Sequence, residues 1–359
     1  MPSDNKPIAK KAITITLLLI ILLLAMSCME CPTEPDNTEL PISSHNFTWE
    51  IDTLGRPISY NQLFDIEIIA EDNIYIVGRV RTDSGYYNLG HWDGNQWTLG
   101  VIGKNAEMWS IQYFSENDIW VSSGMPHHWD GEKWTTYHLW NMGILGEDDG
   151  SVYYLWGDSP SNIFFIGTKG TIVHYNGSEF SRMESGTEVP LNSIYGTSGN
   201  NVWVSGYDNF LNTVLLHYDG KSWRTVYEGD KSSYDVKNRI ASTIYGVYTD
   251  EPNYVWVIAS QGIFRCPYNT KGEGYMIPGI NIWEYAIKTV SGNDHNDMFM
   301  ADAKSAIWHY NGQDFYRYND INCNCYIIGS DVNGDLAGFV GWIYDTWQVC
   351  VIRGRRDDY

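Results

Sequence analysis

From Leu191 to Tyr227 the chain alternates short apolar and aromatic runs with small polar residues. The runs are Leu191 to Tyr195, Val202 to Ser205, Thr213 to Tyr218 and Trp223 to Tyr227, and Gly, Asn, Asp and Ser stand between them. Runs this short, rich in Tyr, Trp, Val and Ile and bounded by turn formers, predict strands rather than helices. Four in succession predict a small antiparallel sheet.

The same unit returns along almost the whole sequence. Its second strand opens with a polar, an aliphatic and usually an aromatic residue: Asn73-Ile74-Tyr75, Asp118-Ile119-Trp120, Asn162-Ile163-Phe164, Asn201-Val202-Trp203, Tyr254-Val255-Trp256, Asp297-Met298-Phe299 and, most divergent, Asp335-Leu336-Ala337. Neighbouring triplets lie 38 to 53 residues apart, giving seven copies. The third strand ends in His91-Trp92-Asp93-Gly94, His128-Trp129-Asp130-Gly131, His174-Tyr175-Asn176-Gly177, His217-Tyr218-Asp219-Gly220 and His309-Tyr310-Asn311-Gly312. The Asp-Gly and Asn-Gly pairs supply the positive φ that a tight hairpin turn needs, and an aromatic three residues after each Gly (Trp97, Trp134, Phe180, Trp223, Phe315) opens the fourth strand. Four-stranded sheets repeated at this period predict an all-β chain, a seven-bladed β-propeller of four-stranded antiparallel blades. An aromatic content of 15% suits flat side chains packed between blades.

The two ends predict how the ring closes. The last copy, Cys323 to Ile352, has three strand-like runs, the third being Trp347 to Ile352, whereas Asn46 to Ile51 reads like an orphaned fourth strand. The N-terminal segment is therefore expected to complete the last blade and remove its exposed edge, with a ring from about 45 to 355.

With Ile194-Tyr195-Gly196-Thr197-Ser198-Gly199-Asn200-Asn201-Val202-Trp203-Val204-Ser205-Gly206 followed by the His-Tyr-Asp-Gly box, the chain resembles bacterial lipid-anchored β-propeller repeat proteins. The copies at 241 to 274 and 325 to 352 depart from that pattern. The resemblance implies a secreted or lipid-anchored propeller and little about chemistry.

Three lysines, Lys6, Lys10 and Lys11, precede an apolar stretch from Ala12 to Met26, which is short for a membrane span of about 20 residues. This is the layout of an export signal. Leu24-Ala25-Met26-Ser27-Cys28 resembles a bacterial lipobox, which implies lipidation of Cys28. The alternative is an uncleaved anchor helix. Residues 29–44 hold Pro32, Pro35 and Pro41 among Glu30, Glu34, Asp36 and Glu39, a solvated tether. The expected organisation is signal peptide 1–27, lipidated Cys and tether 28–44 and propeller 45–359. The expected location is extracytoplasmic, in the periplasm or at the cell surface, on the outer membrane.

A net charge of −21 repels phosphate backbones, so nucleic acid is excluded as a partner class. Besides Cys28 and Cys31, four cysteines remain. Cys323 and Cys350 fall in different strands of the last blade, compatible with a disulfide there and equally with buried thiols; Cys266 and Cys325 are left open.

No metal site, cofactor or catalytic set is read from the sequence. The five repeat histidines sit at equivalent positions, which a ring distributes by rotation, so they are expected to be structural. Asp331-Val332-Asn333-Gly334-Asp335 resembles a calcium loop but lacks its later oxygen ligands, since Phe339 and Trp342 stand there; it is read as a blade turn. Glu147-Asp148-Asp149-Gly150 is read as a solvated loop. The alternative of a glycosidase or lyase working in the central channel would need acidic residues and an arginine facing one another there.

The repeat is broken by extra residues at Arg79 to Leu89, His138 to Ser151, Tyr207 to Asn212 and Glu228 to Arg239, connections expected on one face. Tyr86, Tyr87, Trp109, Trp140, Tyr207, Phe210, Tyr234 and Trp283 lie in or beside them. Aromatics among polar neighbours suit a protein loop or a sugar ring. The expected function is accordingly binding or scaffolding, with an envelope or extracellular protein, or a glycan, on the irregular loop face.

Overall fold

The computed structural model describes residues 41–357 apart from 104–105, 210–211, 230–239, 241–242, 261, 270–273, 278–286, 320 and 322. The proposed signal, Cys28, the tether up to residue 40, Phe210, Tyr234 and Trp283 lie outside the described residues. Strand β1 (Phe47–Leu54) precedes six consecutive four-stranded sheets. They are β2 (Gln62–Ala70), β3 (Asn73–Thr82), β4 (Gly85–Trp92) and β5 (Trp97–Gly100); β6 (Ser110–Ser115), β7 (Asp118–Ser122), β8 (Pro126–Trp129) and β9 (Trp134–Thr136); and β10 (Val152–Ser159), β11 (Asn162–Gly167), β12 (Ile172–Tyr175) and β13 (Phe180–Met183). Then come β14 (Leu191–Ser198), β15 (Asn201–Tyr207), β16 (Thr213–Tyr218) and β17 (Trp223–Gly229); β18 (Ile244–Tyr248), β19 (Tyr254–Ala259), β20 (Gly262–Pro267) and β21 (Tyr275–Met276); and β22 (Ile287–Asp294), β23 (Asp297–Asp302), β24 (Ile307–Tyr310) and β25 (Phe315–Tyr318). The seventh sheet is β26 (Cys325–Asn333), β27 (Leu336–Ile343) and β28 (Val349–Arg356), completed by β1 in the order β1-β28-β27-β26. This is a seven-bladed β-propeller closed by its N-terminal strand.

The closing pair is antiparallel and regular, running from Phe47↔Arg356 through Trp49↔Gly354 to Leu54↔Val349. Both strands reach further than the sequence predicts. Trp347 precedes β28 with φ 58° and is exposed, because the chain turns there before the apolar run Val349 to Ile352 enters the core.

Seven apolar clusters occupy the interfaces between neighbouring blades. One of them joins Leu63, Ile66 and Ile76 of the first blade to Val340, Val349 and Val351 of the last. Middle strands are covered on both faces, which is why β15 is almost continuously apolar and buried while β5 and β9 are half-exposed. Trp120, Trp203 and Trp256, from equivalent second strands, are almost wholly enclosed.

The two sequence signatures meet across each blade. In five blades the third-strand His bonds through Nε2 to the Asn or Asp that opens the second strand: His91–Asn73 at 2.9 Å, His128–Asp118 at 2.9 Å, His174–Asn162 at 2.7 Å, His217–Asn201 at 2.8 Å and His309–Asp297 at 2.8 Å. The aromatic of the same triplet lies against the imidazole, with Tyr75–His91 and Phe299–His309 centroids both 4.3 Å apart. The repeat histidines are therefore structural latches. Each following turn is held by its own Asp or Asn: Asp219 Oδ1 accepts the N–H groups of Lys221 and Ser222, both at 3.0 Å, while Gly220 takes φ 88°.

Inner strands carry a second repeated device. Pairing to the second strand skips one residue near the start of β2, β10, β14, β18, β22 and β26, leaving Phe64, Tyr153, Asn192, Tyr245, Lys288 and Ile328 unpaired. Such bulges re-aim side chains. They press inner-strand backbone against Gly78 and Gly206, where a Cβ would collide with the carbonyls of Gln62 and Pro190, so the Gly ending that motif is a requirement of close approach.

Candidate functional site

The bulges face the ring axis. A channel of about 320 Å³ runs there, lined by residues of all seven inner strands. Chain order places the connections that enter the inner strands at one mouth and the turns that leave them at the other. At the entry mouth Trp109, immediately before β6, stacks on Phe64 with centroids 4.0 Å apart and meets Tyr153 edge-on at 5.3 Å. Across the opening Tyr207 packs edge-on against Tyr245 at 5.6 Å, and Lys288 Nζ lies 4.4 Å from the Tyr245 ring centre. Tyr326 stacks on Trp342 at 4.2 Å. Aromatic faces thus make a collar around the mouth.

Deeper in the channel stand three carboxylates. Asp65 Oδ2 accepts the N–H of Ile111 at 3.0 Å and Glu67 Oε1 that of Tyr113 at 3.1 Å, while Asp331 Oδ2 accepts the N–H of Ile68 at 2.7 Å. Each bond ties one inner strand to the inner strand of the next blade. Burial pushes Asp65 up to about 7 and Asp331 to about 6, against the opposing pull of those N–H groups. Glu67 is pushed well above the usual carboxylate range by burial first and then by the negative charge of Asp331 and Asp65. Burial lowers Lys288. Among the described residues no ion pair joins Lys288 to these acids.

Of the aromatics singled out in the sequence, the structure brings Trp109 and Tyr207 to this mouth. Tyr86 and Tyr87 do not lie in a loop. Arg79 to Leu89 continues the β3–β4 ladder, Val80↔Tyr87, Arg81↔Tyr86 and Thr82↔Gly85, because β-branched and aromatic residues face each other across it. Tyr86 donates its hydroxyl to the Ala106 carbonyl, and Tyr87 packs on the core between the first and last blades. Trp140 is exposed on the His138–Ser151 connection and donates Nε1 to the Gly146 carbonyl at 3.2 Å. That connection folds on itself around Leu139 and Leu145. Its acidic run is partly engaged, since Asp149 accepts the Gly146 N–H at 2.8 Å and pairs with Arg182.

Asp331 lies inside β26, not in a turn; the turn comes three residues later, with Gly334 at φ 59°. Cys323 bonds to Cys325 rather than Cys350, whose buried thiol lies within 4.8 Å of both sulfurs. Cys266 is a buried free thiol. Phe64, Tyr154, Tyr245, Lys288, Asp65 and Glu67 are not singled out from sequence, and Asp331 is read there only as part of a turn. The available signal was Asp65 and Glu67, two carboxylates spaced by two within an otherwise apolar strand, which places both on one face.

No known family description and no curated protein matches the sequence. Solved structures do match in shape. YCF48 bound to D1 peptide aligns with a TM-score of 0.63 over 91% of this chain and 100% of that one, at 13% identity. A catalytically inactive virginiamycin B lyase from Staphylococcus aureus with quinupristin aligns with a TM-score of 0.62 over 85% and 99%, at 12% identity. The WD40 β-propeller domain of Doa1 aligns with a TM-score of 0.58 over 86% and 98%, at 13% identity. At such identities the likeness establishes a shared propeller scaffold.

Proposed function

We propose that the protein is an extracytoplasmic binding propeller, held to a membrane through lipidated Cys28, that docks a segment of another protein on the aromatic mouth of its channel. The collar of Phe64, Trp109, Tyr207 and Tyr245 carries this reading. Large rigid rings at a concave opening offer contact area at little entropic cost, which is where binding energy concentrates. A similar propeller, YCF48, has been solved with a peptide, so the scaffold is compatible with such a ligand. The enzyme alternative loses ground on one point: carboxylates face one another in the channel, but the described lining contains no arginine. The apolar stretch before Cys28 supports export and anchoring.

The test is capture of envelope proteins by the full-length lipoprotein. Trp109→Ala combined with Tyr245→Ala is expected to reduce recovery of a specific partner at least tenfold with thermal stability retained, and Cys28→Ala to abolish incorporation of labelled fatty acid. Unchanged recovery overturns the docking site. Saturable glycan binding lost in the same double variant would instead assign the mouth to sugar.

A further inference from the structure

The acids below the collar have a geometry that the docking reading leaves unused. Titratable groups reach the axis from six of the seven inner strands: Asp65 and Glu67 on β2, Tyr154 on β10, Tyr195 on β14, Tyr245 on β18, Lys288 on β22 and Asp331 on β26; β6 contributes the neutral Ser110 and Gln112. Burial raises Tyr154 and Tyr195, so both remain protonated phenols. Three carboxylates therefore share one narrow space with one amine, which sits up at the mouth over Tyr245. The channel volume, about 320 Å³, is at the lower end of ligand pockets and suits a single side chain rather than a folded element.

We propose that the channel seats a cationic side chain, a lysine or arginine carried by the docked segment, which passes the aromatic collar and takes Asp65, Glu67 and Asp331 as its counter-charges. The proposal rests on the docking reading and adds what the docked segment must contain. Aromatic faces attract a passing cation by their quadrupole, and carboxylates held together at low dielectric attract it strongly once its own hydration is lost. A bound metal ion is a poorer fit. Among the described residues the groups whose ligand atoms come within 4.8 Å of one another are Cys323/Cys325/Cys350 and Asp250/Glu251/His295, and the channel acids are not such a group.

Empty, the channel holds its carboxylates partly protonated near neutrality; occupied, it must ionise them. Binding should therefore release protons and strengthen from pH 5 to pH 8, a range in which lysine stays charged. The experiment uses the full-length protein in detergent and two serine pentapeptides, one with a central lysine and one with norleucine there, titrated calorimetrically in buffers of different ionisation enthalpy. The lysine peptide is expected to bind at least tenfold more tightly at pH 8, with proton release, and to lose that preference at pH 5. Glu67→Gln and Asp331→Asn are each expected to weaken the lysine peptide at least tenfold and leave the norleucine peptide unchanged. Both substitutions relieve repulsion, so they should fold; if one does not, the pH profile of the unaltered protein decides. Equal binding of the two peptides, no binding of either, or calcium binding abolished by Glu67→Gln without lysine preference overturns the proposal. Equal binding that still needs Trp109 would leave the docking site standing.

Discussion

A single amide shows how the repeat motif holds a blade. Asn201 Oδ1 accepts both Trp203 Nε1–H at 3.1 Å and His217 Nε2–H at 2.8 Å, which fixes that atom as the oxygen and that imidazole nitrogen as the protonated one. Burial, with the nearby Arg224 charge, depresses His217 to about 4, so the ring is neutral at pH 7. Asn201→Ala strands two buried donors, a loss of roughly 2–3 kcal/mol on the usual cost of unsatisfied groups. Asp219→Ala, at a solvent-exposed turn, should cost clearly less. Urea denaturation of the two variants should show this order, and equal effects would refute the latch. Where His is missing the sequence finds a substitute: Arg265 stands opposite Trp256 in the fifth blade, with its guanidinium carbon 4.1 Å from the Tyr254 ring centre. Both motifs were legible in the sequence as strand markers. Their contact was not, because it depends on the register Trp203↔His217 between strands.

At the scale of elements, the last blade explains its own irregular sequence. The aromatic and His positions of the other blades are occupied there by Ala337 and Gly354, which face each other across β27 and β28. Neither can fill the space between the sixth and seventh blades. Trp49 does so, opposite Gly354 in β1, where its ring occupies the place a Cβ on Gly354 would need, and it lies 4.9 Å from the Tyr318 ring. Phe47, next on the same face, meets Phe299 at 5.1 Å. The closing strand thus carries side chains that the C-terminal strands lack, which accounts for a copy that looked degenerate when read alone. Trp49→Ala should leave an unfilled hollow and cost roughly 3 kcal/mol, on the scale of large-to-small core changes. Thr98→Ala, at the equivalent position of the first blade, should change stability by less than about 0.5 kcal/mol. Differential scanning calorimetry of both variants tests this, and a silent Trp49→Ala would mean that β1 is an ornament on a ring already closed.

For the whole molecule, fold and site were unequally visible in sequence for one reason. Seven copies of a strand pattern repeat at a near-constant interval, so periodicity alone reaches the architecture. The channel instead draws one or two residues from each blade, and Glu67 and Asp331, 264 positions apart, meet because the ring closes. Their meeting has a thermodynamic sign. Asp65 and Asp331 have folded values of about 7 and about 6, above the ordinary 3.9 of an unfolded chain, so the folded protein binds more protons between those limits. Their contribution is fully present below about pH 4 and is lost as pH rises through about 6 to 7. Asp297 acts oppositely: hydrogen bonds from His309 and Arg356 outweigh burial and hold it near 2, so its contribution is present above about pH 4 and fades only in strong acid. The carboxylates retain some contact with channel water, so the net decline above pH 5 should be on the order of 2 kcal/mol. The melting temperature is therefore expected to be highest near pH 4 to 5, to fall as pH rises to about 7 and to level off toward pH 8, with Glu67→Gln flattening that fall. A rise in stability from pH 5 to pH 8, or a decline untouched by Glu67→Gln, would show that these acids ionise freely and that the channel is wetter and less charged-averse than its geometry implies.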